Sequence, residues 1–383
     1  MAPAETGNNQ DIKKTGAIKL FLCGDVMTGR GIDQILPHPS DPTIHESFVN
    51  DAGVYAEIAE RTNGPIPRFV APSYIWGDAL DVMEREAPDV RIINLETSVI
   101  RSGDYWKDKG IHYRMHPGNI DCITTAKIDV CALANNHILD WGYPGLKETL
   151  ETLENAGIKG AGAGMNLPEA EAPAVVEVAG KGRVVVFSLG SPTSGVPTDW
   201  EASQEKPGVN LLKDFSDATV ERMREQVETV KRERDVVVAS IHWGGNWGYR
   251  ISAREIEFAH RLIDEAGVNI IHGHSSHHVK GIEVYKNKMI LYGCGDFLND
   301  YEGIGGEEDY RGDLSLMYFA KADPAAGNLV GLRMAPTQIK KFRVNRAPLA
   351  DARFLAGVLN REGNKFGTGV RENKDGSLSL VWK

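Results

Sequence analysis

Ile18-Lys19-Leu20-Phe21-Leu22-Cys23-Gly24-Asp25-Val26 is a nearly continuous apolar run that stops at a glycine and a carboxylate. A run that does not alternate with polar residues predicts a strand buried on both faces, as in a parallel sheet covered by helices. Comparable runs follow at residues 90–95, 128–133, 184–189, 236–241, 268–271 and 289–292, bounded by polar or glycine-rich turns. Helical stretches lie between them at 76–86, 146–156, 218–234 and 253–266, the last with Ile256, Ala259, Leu262 and Ile263 on one face. Strand and helix alternate, which predicts an α/β layered fold. Paired strand-like runs within 174–188 and 282–292, broken by Gly-Lys and Lys-Asn, predict antiparallel hairpins. Past the apolar run 314–320, a strand is expected at 338–344, then a helix at 347–360 and a glycine-rich tail.

The expected organisation is a disordered tail over 1–15, one large domain over 16–345 and a C-terminal helix-and-tail appendage over 346–383. Hydrophobic residues make up 42% and charged residues 25% of the 383, ample for a sizeable core and against wholesale disorder. Lys and Arg number 43 against 53 Asp and Glu, and the resulting net charge of -10 opposes the phosphate field of nucleic acid, so no nucleic-acid partner is expected. Cys23, Cys122, Cys131 and Cys294 are far apart with no C-x-x-C pair and read as free thiols. Met1 to Lys14 is polar and lacks the apolar run of a signal peptide or membrane span, so a cytoplasmic chain with no direct membrane span is expected.

Nearly every predicted strand ends in a polar cluster: Gly24-Asp25, Asn94-Leu95-Glu96, Asn135-Asn136-His137, His242-Trp243-Gly244, His272-Gly273-His274 and Gly295-Asp296. In α/β sheets the loops at the carboxyl ends of the strands converge on the ligand site. Singly, these residues read as caps, turn formers or core histidines. Buried together without a common partner they would cost several kcal/mol. Asp25, Glu96, Asn136, His137, His242, His274 and His277, with His272 and His278 nearby, form an oxygen- and imidazole-rich set suited to Zn, Mn or Fe. The matching chemistry is activation of a bound water and polarisation of a phosphoryl or carbonyl oxygen.

The ordered motifs Gly24-Asp25-Val26-Met27-Thr28-Gly29-Arg30, Asn94-Leu95-Glu96-Thr97, Ala134-Asn135-Asn136-His137-Ile138-Leu139-Asp140-Trp141-Gly142, His242-Trp243-Gly244-Gly245 and Gly273-His274-Ser275-Ser276-His277 resemble the CapA capsule-biosynthesis family, within the calcineurin-like metallophosphoesterase superfamily. The resemblance spans roughly residues 19 to 344 and implies a central β-sandwich flanked by helices. It implies metal ligation by Asp25, Glu96, Asn136, His242, His274 and His277, and catalytic roles for Asp25, His137, His242, His274 and His277. It also steers the substrate towards poly-γ-glutamate and the partners towards capsule machinery. Departures from the superfamily pattern are Met27 where Asp-x-His would supply an imidazole, Asn94 and Glu96 where an aspartate would bridge two metals, and Asn246 and Ser275 in place of Glu and His. A divalent metal site and a metal-free site are both compatible with them.

An acidic substrate facing a negative protein needs local positive charge, which singles out Arg30 and Arg114. Arg114 lies in His112-Tyr113-Arg114-Met115-His116, whose alternate residues share a face when extended. Trp243 and Trp247 flank the His242 loop, placed either to wall a groove or to pack the core; Glu96 and His278 complete the candidate substrate contacts. Three functions follow. The first is a metal-assisted hydrolase or transferase of an acidic peptide-like or phosphoryl substrate. The second is a metal-independent peptide epimerase in which Asp25 and a histidine exchange a proton at an α-carbon. The third is a noncatalytic capsule-assembly factor.

Overall fold

The computed structural model describes residues 16–101 and 103–383; the tail expected over 1–15 lies outside them. Two large sheets pack face to face, and helices cover both outer surfaces. The first sheet runs, edge to edge, Thr368–Glu372, Leu378–Trp382, Asn328–Ile339, Leu314–Asp323, Ile18–Val26, Val90–Leu95, Val130–Ala132, Lys159–Ala161. Its last four strands are parallel and the others antiparallel. The second sheet runs Ile282–Tyr285, Lys288–Leu291, Ile270–His274, Asp235–His242, Gly182–Gly190, Ala174–Val178. Its inner four strands are parallel, with the expected hairpins at both edges.

The layering follows from the two-residue side-chain period of a strand. Leu20 and Leu22 join Val184, Val186, Val236 and Val238 between the sheets. Phe21 and Cys23 point the other way, into helices Gly53–Asn63, Asp78–Glu86 and Gly142–Asn155. Helices Asp217–Val230 and Ala253–Asp264 cover the second sheet with Val220, Met223, Phe258 and Leu262. The latter helix starts at a capping box in which Ser252 Oγ accepts from Glu255 N and the Glu255 carboxylate accepts from Ser252 N, 3.1 and 2.7 Å. Among the described residues no helix is long and apolar enough to cross a membrane.

Two expectations for the C-terminal third are corrected. The strand placed at 338–344 is interrupted: residues 340–343 form a turn between strands Asn328–Ile339 and Val344–Arg346, with Lys341 and Phe342 at φ 61° and 54°. No glycine, proline or asparagine marks that turn at 340–343. It is held from outside by the Glu302 carboxylate, which accepts from Lys341 N at 2.8 Å and Phe342 N at 2.6 Å. The segment 346–383 is not an appendage on the sandwich. Its tail forms a hairpin whose second strand pairs Leu378 with Met334 and Ser379 with Arg333, extending the first sheet. Leu355, Leu359, Leu378 and Leu380 enter the core between the sheets.

Candidate functional site

The parallel strands of both sheets end at a common edge. Asp25 lies in register with Asn94 on one side and Asp296 on the other, and His242 with His274. Asp25 is 1% exposed; its carboxylate accepts from Asn94 Nδ2 at 2.7 Å and Ser275 N at 3.0 Å. Burial, reinforced by Asp296, pushes its pKa up to about 7. His274 Nδ1 lies 3.5 Å and His242 Nδ1 4.0 Å from Asp25 Oδ1, and the two Nδ1 atoms are 2.8 Å apart.

Hydrogen bonding from one sheet to the other sets which nitrogens carry protons. Cys23 O can only accept, so His272 donates to it through Nε2, 2.7 Å, and its bare Nδ1 accepts from Ser240 Oγ, 3.1 Å. Burial holds the His272 pKa down to about 4, so the ring is neutral. Having given its one proton, Ser240 Oγ accepts from His274 Nε2, 2.9 Å, which leaves a lone pair on His274 Nδ1. His242 Nε2 is engaged by Asn136 Oδ1 at 3.0 Å, so its Nδ1 too faces the centre. Two such nitrogens at 2.8 Å beside a carboxylate are reconciled only by a shared proton or a cation.

A tetrahedral ion with bonds of about 2.0–2.1 Å holds neighbouring donors roughly 3.3 Å apart. The Asp25, His242, His274 separations of 3.5, 4.0 and 2.8 Å bracket that distance. A second trio, Asp25, Glu96 and Asp296, also has donor atoms within 4.8 Å of one another. Burial, then Asp25 and Asp296, raises the Glu96 pKa well above the carboxylate range. Three buried carboxylates sharing Asp25 with two imidazoles, and no thiolate, fit one or two divalent ions of the Zn, Mn or Fe class.

Two further histidines each rest on a carboxylate. His137 Nδ1 is 2.6 Å from Asp140 Oδ2, and Asp140 is itself ion-paired with Lys109 and accepts from Tyr113 N. His137 Nε2 is left facing Glu96 at 3.9 Å. Burial, then Lys109, holds the His137 pKa well below its ordinary value. His277 Nδ1 sits 2.9 and 3.0 Å from the Asp296 oxygens. Burial pulls that pKa down, but Asp296 outweighs it and leaves it raised. His277 thus lies outside both donor trios, and Asn136 Oδ1 meets His242 Nε2 at 3.0 Å. Met27, in the place of a missing imidazole, is buried with Sδ accepting from Gly29 N at 3.1 Å.

The expected substrate contacts fare differently. Arg30 is 3% exposed, paired with Asp300 at 2.5 Å and Glu46 at 2.9 Å, so its charge is neutralised inside the fold. Arg114 donates to Asp41 O at 2.5 Å and lies 3.9 Å over the Trp141 ring, pinning a loop. Trp243 is a core residue, 1% exposed, donating to Tyr292 O and packed on Phe215 and Phe258. His278 is buried against Trp247, Tyr249 and Tyr310. A cleft of about 620 Å³ reaches His277 and Asp296, walled by Trp247, Tyr113 and Tyr301. Sequence reasoning gave no role to Asp296, Asp140 or Lys109. Asp296 was visible as a strand-end Gly-Asp and Asp140 as the carboxylate three residues after His137, whereas nothing local marks Lys109.

The family described as bacterial capsule synthesis protein PGA_cap matches residues 19–301, a span that contains every residue of both donor trios and both histidine–carboxylate pairs. A probable polyglutamine synthesis accessory protein of Mycobacterium tuberculosis is 46% identical over 365 residues, covering 95% of this chain and 96% of that protein. The PGA biosynthesis protein CapA of Bacillus subtilis is 28% identical over 347 residues, 89% of this chain and 83% of its own. The capsule biosynthesis protein CapA of Bacillus anthracis is 31% identical over 193 residues, 50% of this chain and 45% of its own. With most of its length matched by the family and nearly all of it by one relative, this chain belongs to the bacterial capsule synthesis PGA_cap family.

Proposed function

We propose that this chain is a metal-assisted hydrolase or transferase acting on a peptide-like substrate of the poly-γ-glutamate type, or on a phosphoryl group, in capsule-polymer synthesis. The observation that carries the proposal is the pair of imidazole Nδ1 atoms 2.8 Å apart beside Asp25, which is shared with the Glu96 and Asp296 carboxylates. The names of the relatives, PGA biosynthesis and polyglutamine synthesis accessory proteins, support the choice of polymer. Asp25, His242 and His274 would hold one ion and Asp25, Glu96 and Asp296 a second. An ion held there would supply activation of water near neutral pH and Lewis-acid polarisation of the oxygen of the group attacked.

The protein's own residues account for orientation and proton transfer. Ser240 and Asn136 fix the two ligand imidazoles. His137, neutral and locked through Nδ1–H on Asp140, presents the lone pair of Nε2 towards the centre, where it would take up the proton released by the attacking group. Arg30 and Arg114 are engaged internally, so neither is free to supply counter-charge to an acidic substrate.

The test is metal analysis of protein purified without added ions, followed by assay of a γ-linked glutamate oligomer and a chromogenic phosphodiester with and without chelator. Chelator-sensitive turnover that His242→Ala abolishes and His137→Ala lowers by about 10²–10⁴-fold is expected. Turnover that survives chelation in metal-free protein would transfer the chemistry to an Asp25–histidine proton exchange. No turnover of any kind would leave an assembly factor.

A further inference from the structure

Two tyrosines on the cleft wall have no part in the chemistry above. Tyr113 stacks on His137 with ring centroids 3.7 Å apart at 19°, and Tyr301 meets His277 edge-on at 5.5 Å. Their hydroxyls, 188 residues apart in the chain, hydrogen-bond to each other. The Arg30 guanidinium lies over both rings, 4.8 Å from the centroid of Tyr113 and 5.5 Å from that of Tyr301. The tyrosine pair thus spans the gap between the two histidine–carboxylate pairs.

Proton counting leaves the pair one free donor. Two phenols carry two hydroxyl protons, and their mutual hydrogen bond uses one of them. Among the described residues neither hydroxyl has another hydrogen-bond partner. Tyr113 is 2% exposed whereas Tyr301 is half-buried, and both line the cleft. Their mutual bond leaves one O–H over, and Tyr301, the more exposed of the two, is the one placed to turn it to the cleft. Burial raises the pKa of both phenols, so both keep their protons at neutral pH.

We propose that Tyr301, polarised by the hydroxyl of Tyr113, donates a hydrogen bond to the substrate oxygen that gains charge during the reaction. Rigid donors aimed at such an oxygen in a water-poor site stabilise a tetrahedral acyl intermediate and a phosphoryl transition state alike. The assignment deepens the metal-assisted reading of the same site and rests on it.

Inorganic phosphate, a tetrahedral oxyanion, is the probe. Its binding to the metal-reloaded full chain is measured by calorimetry for wild type, Tyr301→Phe, Tyr113→Phe and the double variant, with metal content and melting temperature recorded for each. Tyr301→Phe should weaken phosphate by about ten- to a hundred-fold, as for loss of a hydrogen bond to a charged group, at unchanged metal content. Tyr113→Phe, which removes only the polarising partner, should weaken it by a few-fold, and the double variant should resemble Tyr301→Phe. Wild-type phosphate affinity in Tyr301→Phe and in the double variant would overturn the proposal and leave the metal reading intact. Loss of metal in Tyr301→Phe would assign the ring to packing and overturn it as well. A wild-type protein that takes up metal but binds no phosphate would also sink it, and one that takes up no metal would remove the reading beneath it.

Discussion

His242, His274 and His272 are all buried histidines at strand ends, yet their bonding separates them. His272 joins the sheets by donating to Cys23 O, whereas His242 and His274 turn a nitrogen to Asp25. His272→Ala should cost about 1–3 kcal/mol or more, because it leaves a buried carbonyl without a donor. His242→Ala should lose metal while the chelated protein keeps its unfolding free energy to within about 2 kcal/mol. Chemical denaturation of both variants in chelator tells the two roles apart. The raised pKa of Asp25 adds a pH dependence. With about 7 in the folded protein against the ordinary 3.8, the metal-free fold binds more protons than the unfolded chain between those values. This group's contribution to stability therefore falls as pH rises through that window. Below pH 7 an entering ion must displace that proton, so metal affinity should drop by about tenfold per pH unit, measurable by calorimetric titration.

Among the elements, the connections around the cleft are held by charges far apart in sequence. Arg30, at the start of helix Arg30–Ile35, is neutralised by Asp300, 270 residues later, and by Glu46. Arg30→Met should destabilise by about 3–5 kcal/mol, since two carboxylates would remain buried without a counter-charge. Arg30→Met combined with Asp300→Asn and Glu46→Gln should recover part of that loss, and a thermal melt of the two proteins checks it. No recovery would mean that the Arg30 side chain acts through packing. The alternation of apolar runs placed both edge hairpins, the parallel strands except Lys159–Ala161 and the covering helices except Gly53–Asn63. The turn at 340–343 was hidden because its left-handed residues are a lysine and a phenylalanine, held in place by the distant Glu302.

In the whole molecule, the two sheets share one core to which the C-terminal segment contributes Leu355, Leu359, Leu378 and Leu380. Removal of residues 347–383 would open that core and leave Asn328–Ile339 without its partner strand Leu378–Trp382. The truncated protein should fail to give a cooperative melt, although the family match ends at residue 301 and every proposed ligand precedes the cut. What the sequence determined by itself was the layered α/β architecture and the rim on which the polar residues gather. Unbroken apolar runs must be buried on both faces, and parallel strands necessarily end at the same edge. Asp25, Glu96, His242 and His274 could be named from that rule alone. Tertiary structure alone decided which neighbours they meet. It set Asp296 beside Asp25, turned His272 into a bond between the sheets, closed Arg30 into an internal ion pair and brought Tyr113 to Tyr301. Those outcomes depend on the register between strands and on loops returning across hundreds of residues, and no local periodicity encodes them.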